Sequence, residues 1–356
     1  CILVATSGDT GKAALEGFRD VDRTKILVFY PKDGVSDIQK LQMVTQEGEN
    51  TGVCAVIGNF DDAQTGVKRI FSDPVLRERL AADGKLLSSA NSINWGRVLP
   101  QIVYYISAYC DLLASGAIRM GEKIDFCVPT GNFGNILAAY YAKRMGLPVG
   151  KLICASNSND VLTEFIRTGV YDRNRPFHAT MSPSMDILIS SNLERLLYLL
   201  SGSDEAVRGY MRQLSETGRY AVTPELHAKI LESFACGCCD EASTAETIGR
   251  VFKERSYLID THTAVAWNVL EQFRRESGSR SMSVVVSTAS AFKFCASVLT
   301  ALGVEKQAEG TQILRQLSET TGWPVPKPLA ALDGKKIRFT KAVQKTEMAD
   351  AVMELL

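Results

Sequence analysis

Short β-branched runs alternate along the chain with longer amphipathic stretches. Apolar runs fall at Ile2–Ala5, Ile26–Tyr30, Val53–Ile57, Ile124–Val128, Leu152–Ala155 and Val284–Ser287. Helical spacing of apolar positions follows most of them, at Thr10–Phe18, Asp37–Gln46, Asp61–Ser72, Val98–Leu113, Asn135–Met145 and Ala291–Leu302. Short uniform apolar runs, each followed by a helix, predict βαβ units on a parallel sheet whose two faces are both covered. From Glu194 to Gln272 the pattern is nearly all helical, as in a cap on such a sheet. No internal repeat or low-complexity linker interrupts it, and the proline-dense Trp323–Pro328 reads as extended surface chain. Ser88–Gly96 is polar and turn-like, which puts a domain edge near residue 95. The expectation is a small α/β domain over 1–95 and a larger one over 96–356, with a helical insertion at about 190–275.

Composition narrows the function classes. The 356 residues carry 40 Lys+Arg against 40 Asp+Glu. A net charge of zero supplies no electrostatic footprint for nucleic acid or an anionic membrane. With 46% hydrophobic and 22% charged residues, the chain has the make-up of a folded globule. No apolar run approaches the roughly 20 residues that span a bilayer. The opening Cys1–Ala5 has no basic segment before it and is read as a buried strand, not a signal peptide. A start in mid-strand without Met carries the expectation that residues precede it. Nine scattered cysteines, several inside apolar runs, read as reduced thiols in a reducing compartment, the cytoplasm. Cys236, Cys238 and Cys239 form the one cluster, read as a helix end without metal, since no second pair or histidine stands near. His178, His227 and His262 lack paired spacing. Serine-hydrolase elbows and phosphate-loop nucleotide motifs are also missing from the sequence.

Three strand-end turns carry candidate chemistry. Thr6–Gly11 (Thr-Ser-Gly-Asp-Thr-Gly) joins a buried run to a helix; its glycines allow close backbone approach, and its hydroxyls and free N–H groups suit an anion. A plain helix cap by Ser7, Asp9 or Thr10 is the competing reading. Pro129–Asn135 (Pro-Thr-Gly-Asn-Phe-Gly-Asn) again joins strand to helix and resembles turns that wrap a phosphate monoester, with an ordinary structural turn as the alternative. Ser287–Ser290 ends a third strand with hydroxyls, where open α/β sheets bind ligands or where a helix is simply capped. Together, the three turns suit one ligand with two anionic ends: an amino acid joined to pyridoxal phosphate.

Beyond those turns, ordered blocks resemble the threonine synthases, pyridoxal-phosphate enzymes of the tryptophan-synthase-β fold family (fold type II). The blocks are Ala5–Gly11, Tyr30–Ser36 leading to Gln39–Met43, Gly58–Asp62, Ser89–Arg97, Pro129–Asn135, Ser156–Asp160 and Ser182–Asp186, within about residues 1–300. Asp in the first turn is the pattern of the bacterial and fungal branch. The resemblance implies two open, twisted, mostly parallel sheets flanked by helices. It implies that Gly131, Asn132, Phe133, Gly134 and Asn135 hold the cofactor phosphate, that Thr288 bonds the pyridine nitrogen, and that Asp9 lies near the ring hydroxyl. Ser7, Gly8 and Thr10 would receive the substrate α-carboxylate. Asn94, Arg97, Ser156, Asn157 and Asn159 would take the substrate phosphate, Arg97 as a bidentate partner. An Asp beside a carboxylate is awkward unless something compensates its charge.

The implied reaction turns O-phospho-L-homoserine and water into L-threonine and phosphate, the last step of threonine biosynthesis, in a monomer or homodimer. It also needs a Schiff-base lysine, which in the family sits in a Phe-Lys-Asp motif upstream of the first turn. No Phe-Lys-Asp occurs in the 356 residues; the motif is expected upstream of Cys1, and this chain alone is expected to be inactive without it. Phe292-Lys293-Phe294 matches instead the Lys-Phe after the family's Thr-Ala-His-Pro, and here Ala289–Phe292 replaces the Ala-His-Pro-Ala stretch. Lys12 stands where a small residue is usual, and Thr261 where Pro is usual. A lysine-less relative that binds pyridoxal phosphate or phospho-amino acids without turnover is the alternative from another class. Threonine deaminase or cysteine synthase activity fits less well, because those relatives have Asn in the first turn and lack the Asn91–Arg97 block.

Overall fold

The computed structural model describes residues 1–355. Its strands are β1 (Ile2–Ala5), β2 (Ile26–Pro31), β3 (Thr51–Ile57), β4 (Ser88–Ser89), β5 (Ile124–Pro129), β6 (Val149–Ser156), β7 (Val170–Asp172), β8 (Arg219–Ala221), β9 (Phe234–Cys238), β10 (Ser283–Val285) and β11 (Ala342–Gln344). The chain divides into two units, Cys1–Asn94 with Ser290–Leu356, and Trp95–Ala289.

The first unit holds a sheet in the order β11-β3-β2-β1-β4, with every pair parallel. β1 and β2 are buried along their whole length. Ile2, Val4, Ile26, Val28 and Val53 pack there with Leu15 and Met43 from the flanking helices. The helices start where local chemistry allows. Ser36 and Asn59 form capping boxes with Gln39 and Asp62, and Asp73 caps a helix that opens on Pro74.

The second unit holds a parallel sheet in the order β10-β5-β6-β9 and a small antiparallel pair, β7 with β8. The helix Thr261–Ser277 packs Val265, Ala266 and Val269 onto Cys127, Ile153 and Ala155 of β5 and β6. The α/β class with two mostly parallel sheets flanked by helices is therefore present.

Several expectations need correcting. The stretch 290–356 does not continue the second unit. It returns to the first, where β11 pairs with β3 and the helix Met348–Leu355 buries Met348 and Val352. Nothing local marks that return, since β11 is only Ala-Val-Gln. The interval 190–275 is not wholly helical, because β9 lies within it as a sheet strand beside β6. Cys236 and Cys238 consequently stand on that strand, not at a helix end. Burial pushes the thiols of Cys54, Cys236 and Cys239 up to about 11, as suits cysteines packed as small apolar groups. The helix expected over Val98–Leu113 is broken into Trp95–Val98, a tight turn at Leu99–Gln101 and Ile102–Ala114, because Pro100 has no N–H to donate. Ala291–Leu302 likewise divides into a tight turn at Ala291–Lys293 and the helix Cys295–Ala301. The proline-dense stretch ends in a short helix, Lys327–Ala330. Among the described residues, no helix is long and apolar enough to cross a membrane, and no group of three or more His, Cys, Asp or Glu could hold a metal ion.

Candidate functional site

In the second unit, β10, β5 and β6 run parallel, so the loops leaving their carboxyl ends share one edge of the sheet. These loops begin at Val286, Thr130 and Asn157.

The loop after β5 is the glycine turn. Phe133 sits in the left-handed region at φ 61°, with its ring buried at 5.7 Å from that of Phe234. The anchored ring stabilises a backbone conformation that a non-glycine residue seldom adopts. The helix Gly134–Arg144 that follows has no side-chain cap. Among the described residues, the N–H groups of Gly131 to Asn135 meet no protein acceptor. Helix ends normally find such donors a partner, so these are suited to an anion. Gly131 is required for space, since a Cβ there would stand 2.6 Å from the Ser184 carbonyl oxygen. The turn is held from behind. Asn192 donates through its side-chain amide to the Asn132 carbonyl at 2.8 Å, and Ser190 Oγ to the Gly131 carbonyl at 2.8 Å. The Tyr105 hydroxyl donates to Asn135 Oδ1 at 2.6 Å.

The loop after β10 carries Thr288, which is exposed and makes no hydrogen bond among the described residues. Its neighbour Ser287 lies 3.0 Å from Thr263 Oγ1. Thr263 donates to Asp260 Oδ2 through a very short contact. Asp260 Oδ1 also receives His262 Nδ1 at 3.0 Å and the His262 backbone N–H at 2.9 Å. His262 Nε2 accepts the Ser184 N–H at 3.2 Å, which fixes the ring as its Nδ1–H tautomer. One buried carboxylate thus steadies both the strand end before Thr288 and the segment packed under Gly131. Burial alone would raise the Asp260 carboxyl, but hydrogen bonds from His262 and Thr263 outweigh it and hold the carboxyl below its ordinary range. Reading along the chain misses Asp260 and Thr263. Their only signal in the sequence is the Asp-Thr-His-Thr block at a helix start.

The loop after β6 differs from its expected role. Ser156, Asn157 and Asn159 are all buried, with Asn157 at 0% exposure. Asn157 Nδ2 donates to Asp186 Oδ1 at 2.7 Å and to Thr180 Oγ1 at 2.8 Å. Asn159 Nδ2 donates to the His178 carbonyl at 2.8 Å, and Thr163 Oγ1 donates to Ser156 Oγ at 3.0 Å. These side chains are engaged inside the protein, so the reading of all three as phosphate ligands is corrected to one of support. They knit β6 to the 180–186 segment through Asp186, whose carboxyl is pushed up by burial against its hydrogen bonds. Arg97, by contrast, is half-buried on the helical turn Trp95–Val98. Trp95 there meets the Tyr141 ring edge-on at 4.9 Å and the Arg195 guanidinium at 6.0 Å.

In the first unit, the Thr6–Gly11 turn follows β1. Thr6, the first residue of the motif and given no role of its own in the sequence reading, builds it: its buried hydroxyl accepts the N–H groups of Gly8 at 2.9 Å and Gly11 at 2.8 Å. Gly8 has φ 135° and leads into the helix Asp9–Phe18, which has no side-chain cap. The hydroxyls of Ser7 and Thr10 make no hydrogen bond among the described residues and are half-exposed. Asp9 Oδ1 receives both Lys293 Nζ at 2.8 Å and Gln39 Nε2 at 3.0 Å. Asn91 closes the edge of β1 by pairing with the Ala5 N–H at 3.0 Å and the Ala5 carbonyl at 2.6 Å. Asn94 is exposed and donates to the Ser89 carbonyl at 2.9 Å, holding its own loop.

Comparison with known proteins gives these arrangements a family. No protein-family model matches the chain. It is 45% identical over 313 residues to threonine synthase-like 1 of Macaca fascicularis, covering 86% of this chain and 42% of that protein. The chain thus spans less than half the length of that curated relative. A solved structure of threonine synthase from Brucella melitensis, described as bound to pyridoxal phosphate, matches with a TM-score of 0.81 and 38% identity, over 99% of this chain and 70% of that one. The yeast threonine synthase structure matches with a TM-score of 0.82 and 33% identity, over 99% and 69% of the two chains. The resemblance carried by the sequence blocks extends to the fold, and the chain belongs to the threonine synthase family.

Proposed function

We propose that this chain carries the pyridoxal-phosphate and substrate stations of a threonine synthase, converting O-phospho-L-homoserine and water to L-threonine and phosphate. The observation that supports this best is the turn Gly131–Asn135, with unengaged N–H groups at an uncapped helix start and no room for a Cβ at its first glycine. Such a donor set fits a phosphate monoester without any basic side chain. Gly131, Asn132, Phe133, Gly134 and Asn135 would hold the cofactor phosphate, and the open hydroxyl of Thr288 the ring nitrogen. A neutral hydroxyl does not keep that nitrogen protonated as a carboxylate would, which moderates electron withdrawal. When bound, pyridoxal phosphate supplies the electron sink for negative charge that develops beside the amino-acid nitrogen.

The chain's own residues bind and orient. Ser7 and Thr10 take the substrate α-carboxylate on free hydroxyls and the first N–H groups of a helix, with Gly8, whose own N–H is held by Thr6, letting the backbone approach. Asp9 keeps its Oδ2 open, Oδ1 being occupied. Arg97 takes the substrate phosphate, as a guanidinium fork suits. In the reaction the γ-carbon–oxygen bond breaks, phosphate leaves, water adds at the β-carbon and the γ-carbon ends as a methyl group. Phe-Lys-Asp is absent from these residues, so we assign no side chain of this chain to proton transfer. We place the protein in the reducing cytoplasm, a reading supported by nine unpaired cysteines.

The 356 residues alone are expected to release neither product, because the Schiff-base lysine is not among them, so the test mixes the full-length protein with pyridoxal phosphate and O-phospho-L-homoserine and measures phosphate and L-threonine. Equal release of both is expected. Cofactor retained through dialysis without phosphate release would instead favour the second reading, a threonine-synthase-like protein that binds without turnover. That reading is favoured by one observation: Lys293, the lysine that reaches the first turn, is engaged with Asp9. Failure to bind the cofactor at all overturns both.

A further inference from the structure

We infer that Lys293 is a positioning and specificity residue of the first turn: it neutralises Asp9 so that the Ser7–Thr10 turn admits a carboxylate. The inference rests on the proposed reading of that turn as the α-carboxylate station, and deepens it. Ser7 and Thr10 offer free hydroxyl donors at a helix start, the Gly8 N–H being taken by Thr6, yet Asp9 adds a negative charge in their midst. Left alone, that charge would repel the anion the donors attract. Lys293 Nζ stands 2.8 Å from Asp9 Oδ1, with both side chains about a quarter exposed (22% and 26%).

The pair belongs to a closed ring of hydrogen bonds. Gln39 donates through Nε2 to Asp9 Oδ1 at 3.0 Å, and its Oε1 accepts the Ser36 N–H at 3.3 Å. Ser36 Oγ in turn donates to the Lys293 carbonyl at 2.5 Å. The capping box that begins the helix Asp37–Val44 is therefore also the brace that sets Lys293 against Asp9. Gln39 cannot drift from this position, because it is almost fully buried and its amide fills the space that a Cβ on Gly8 would take. On the lysine side, Ser290 caps the tight turn Ala291–Lys293, and Phe292, Phe294 and Cys295 are buried around it.

So much bracing adds little stability through a partly exposed ion pair. It does fix where a cation sits. An ammonium has three donors, and one serves Asp9, so the others remain to meet an incoming carboxylate. The turn is then neutral in charge and lined with donors, which selects an α-amino acid with a free carboxylate over its amide. It also accounts for an Asp in a carboxylate station, which is otherwise unfavourable.

The experiment uses the protein loaded with pyridoxal phosphate and measures calorimetric binding of L-threonine and of L-threoninamide, which lacks the carboxylate. Lys293→Met should weaken L-threonine about tenfold or more while moving L-threoninamide less than about twofold, the loss of one charge-assisted contact and its compensation. Lys293→Arg should stay within about threefold of the unmutated protein for L-threonine, because the charge is kept. Adding Asp9→Asn to Lys293→Met should recover most of the lost affinity, because the repulsion is removed along with its remedy. Equal loss for both ligands in Lys293→Met, or no recovery in the double variant, overturns the inference while leaving the proposed function standing. If the unmutated protein binds neither ligand, the functional reading fails and the inference falls with it.

Discussion

Gly131 shows how tightly one residue can be specified. A methyl group there meets a backbone oxygen, not the tip of a flexible side chain, so the 184–185 segment or the turn itself has to move. Gly131→Ala should cost about 1–3 kcal/mol in urea unfolding, as overpacking against a rigid neighbour does, and should weaken pyridoxal-phosphate binding. Gly202 provides the contrast. It ends the helix Leu193–Ser201 at φ 68°, and a methyl group added there would meet nothing within 4 Å. Gly202→Ala should therefore cost only about 1 kcal/mol, from backbone conformation alone. The small and polar residues of the turns were legible as chemistry because their types suit little else. The roles of the residues that aim them were not: Asn91 and Asp186 show in the sequence only as members of their blocks until their partners, distant in sequence, arrive.

Among the elements, the start of the helix Thr261–Ser277 does more than cap. Asp260 ties it to Ser287 through Thr263 and to Ser184 through His262, so one N-cap steadies two of the three loops at the sheet edge. Asp260→Asn should destabilise the protein at neutral pH by about 2–3 kcal/mol, the cost of leaving buried donors ill-matched. The sign of its pH dependence follows from the lowered carboxyl. A group depressed in the folded state contributes stability above its unfolded value and loses it as pH falls through the folded value. The gap between Asp260→Asn and the unmutated protein should therefore narrow below about pH 4 in acid-unfolding curves. The apolar runs of β1, β2, β5 and β6 declared themselves as buried strands by composition. β9 did not, because Phe-Ala-Cys-Gly-Cys has little β propensity and becomes a strand by lying beside β6.

For the whole molecule, the division into units follows chain connectivity in an uneven way. The second unit is one continuous segment with its own core, whereas the first is assembled from both ends of the described chain. Residues 95–289 expressed alone should melt cooperatively by circular dichroism. Residues 1–94 alone should not, because β3 loses its neighbour β11 and the buried Met348 and Val352 are gone. Cooperative melting of 1–94 would show that the C-terminal segment is dispensable to that core. The same logic separates what could be read along the chain from what could not. Alternating apolar runs and helical spacing imply parallel α/β layers, and three hydroxyl- and glycine-rich turns imply an anionic ligand, because periodicity and residue type are local properties. Which strand β11 joins, that Asn157 and Asn159 turn inward, and that Lys293 answers Asp9 are matters of contact between residues far apart in sequence. Such contacts leave no periodic trace and exist only once the chain has closed on itself.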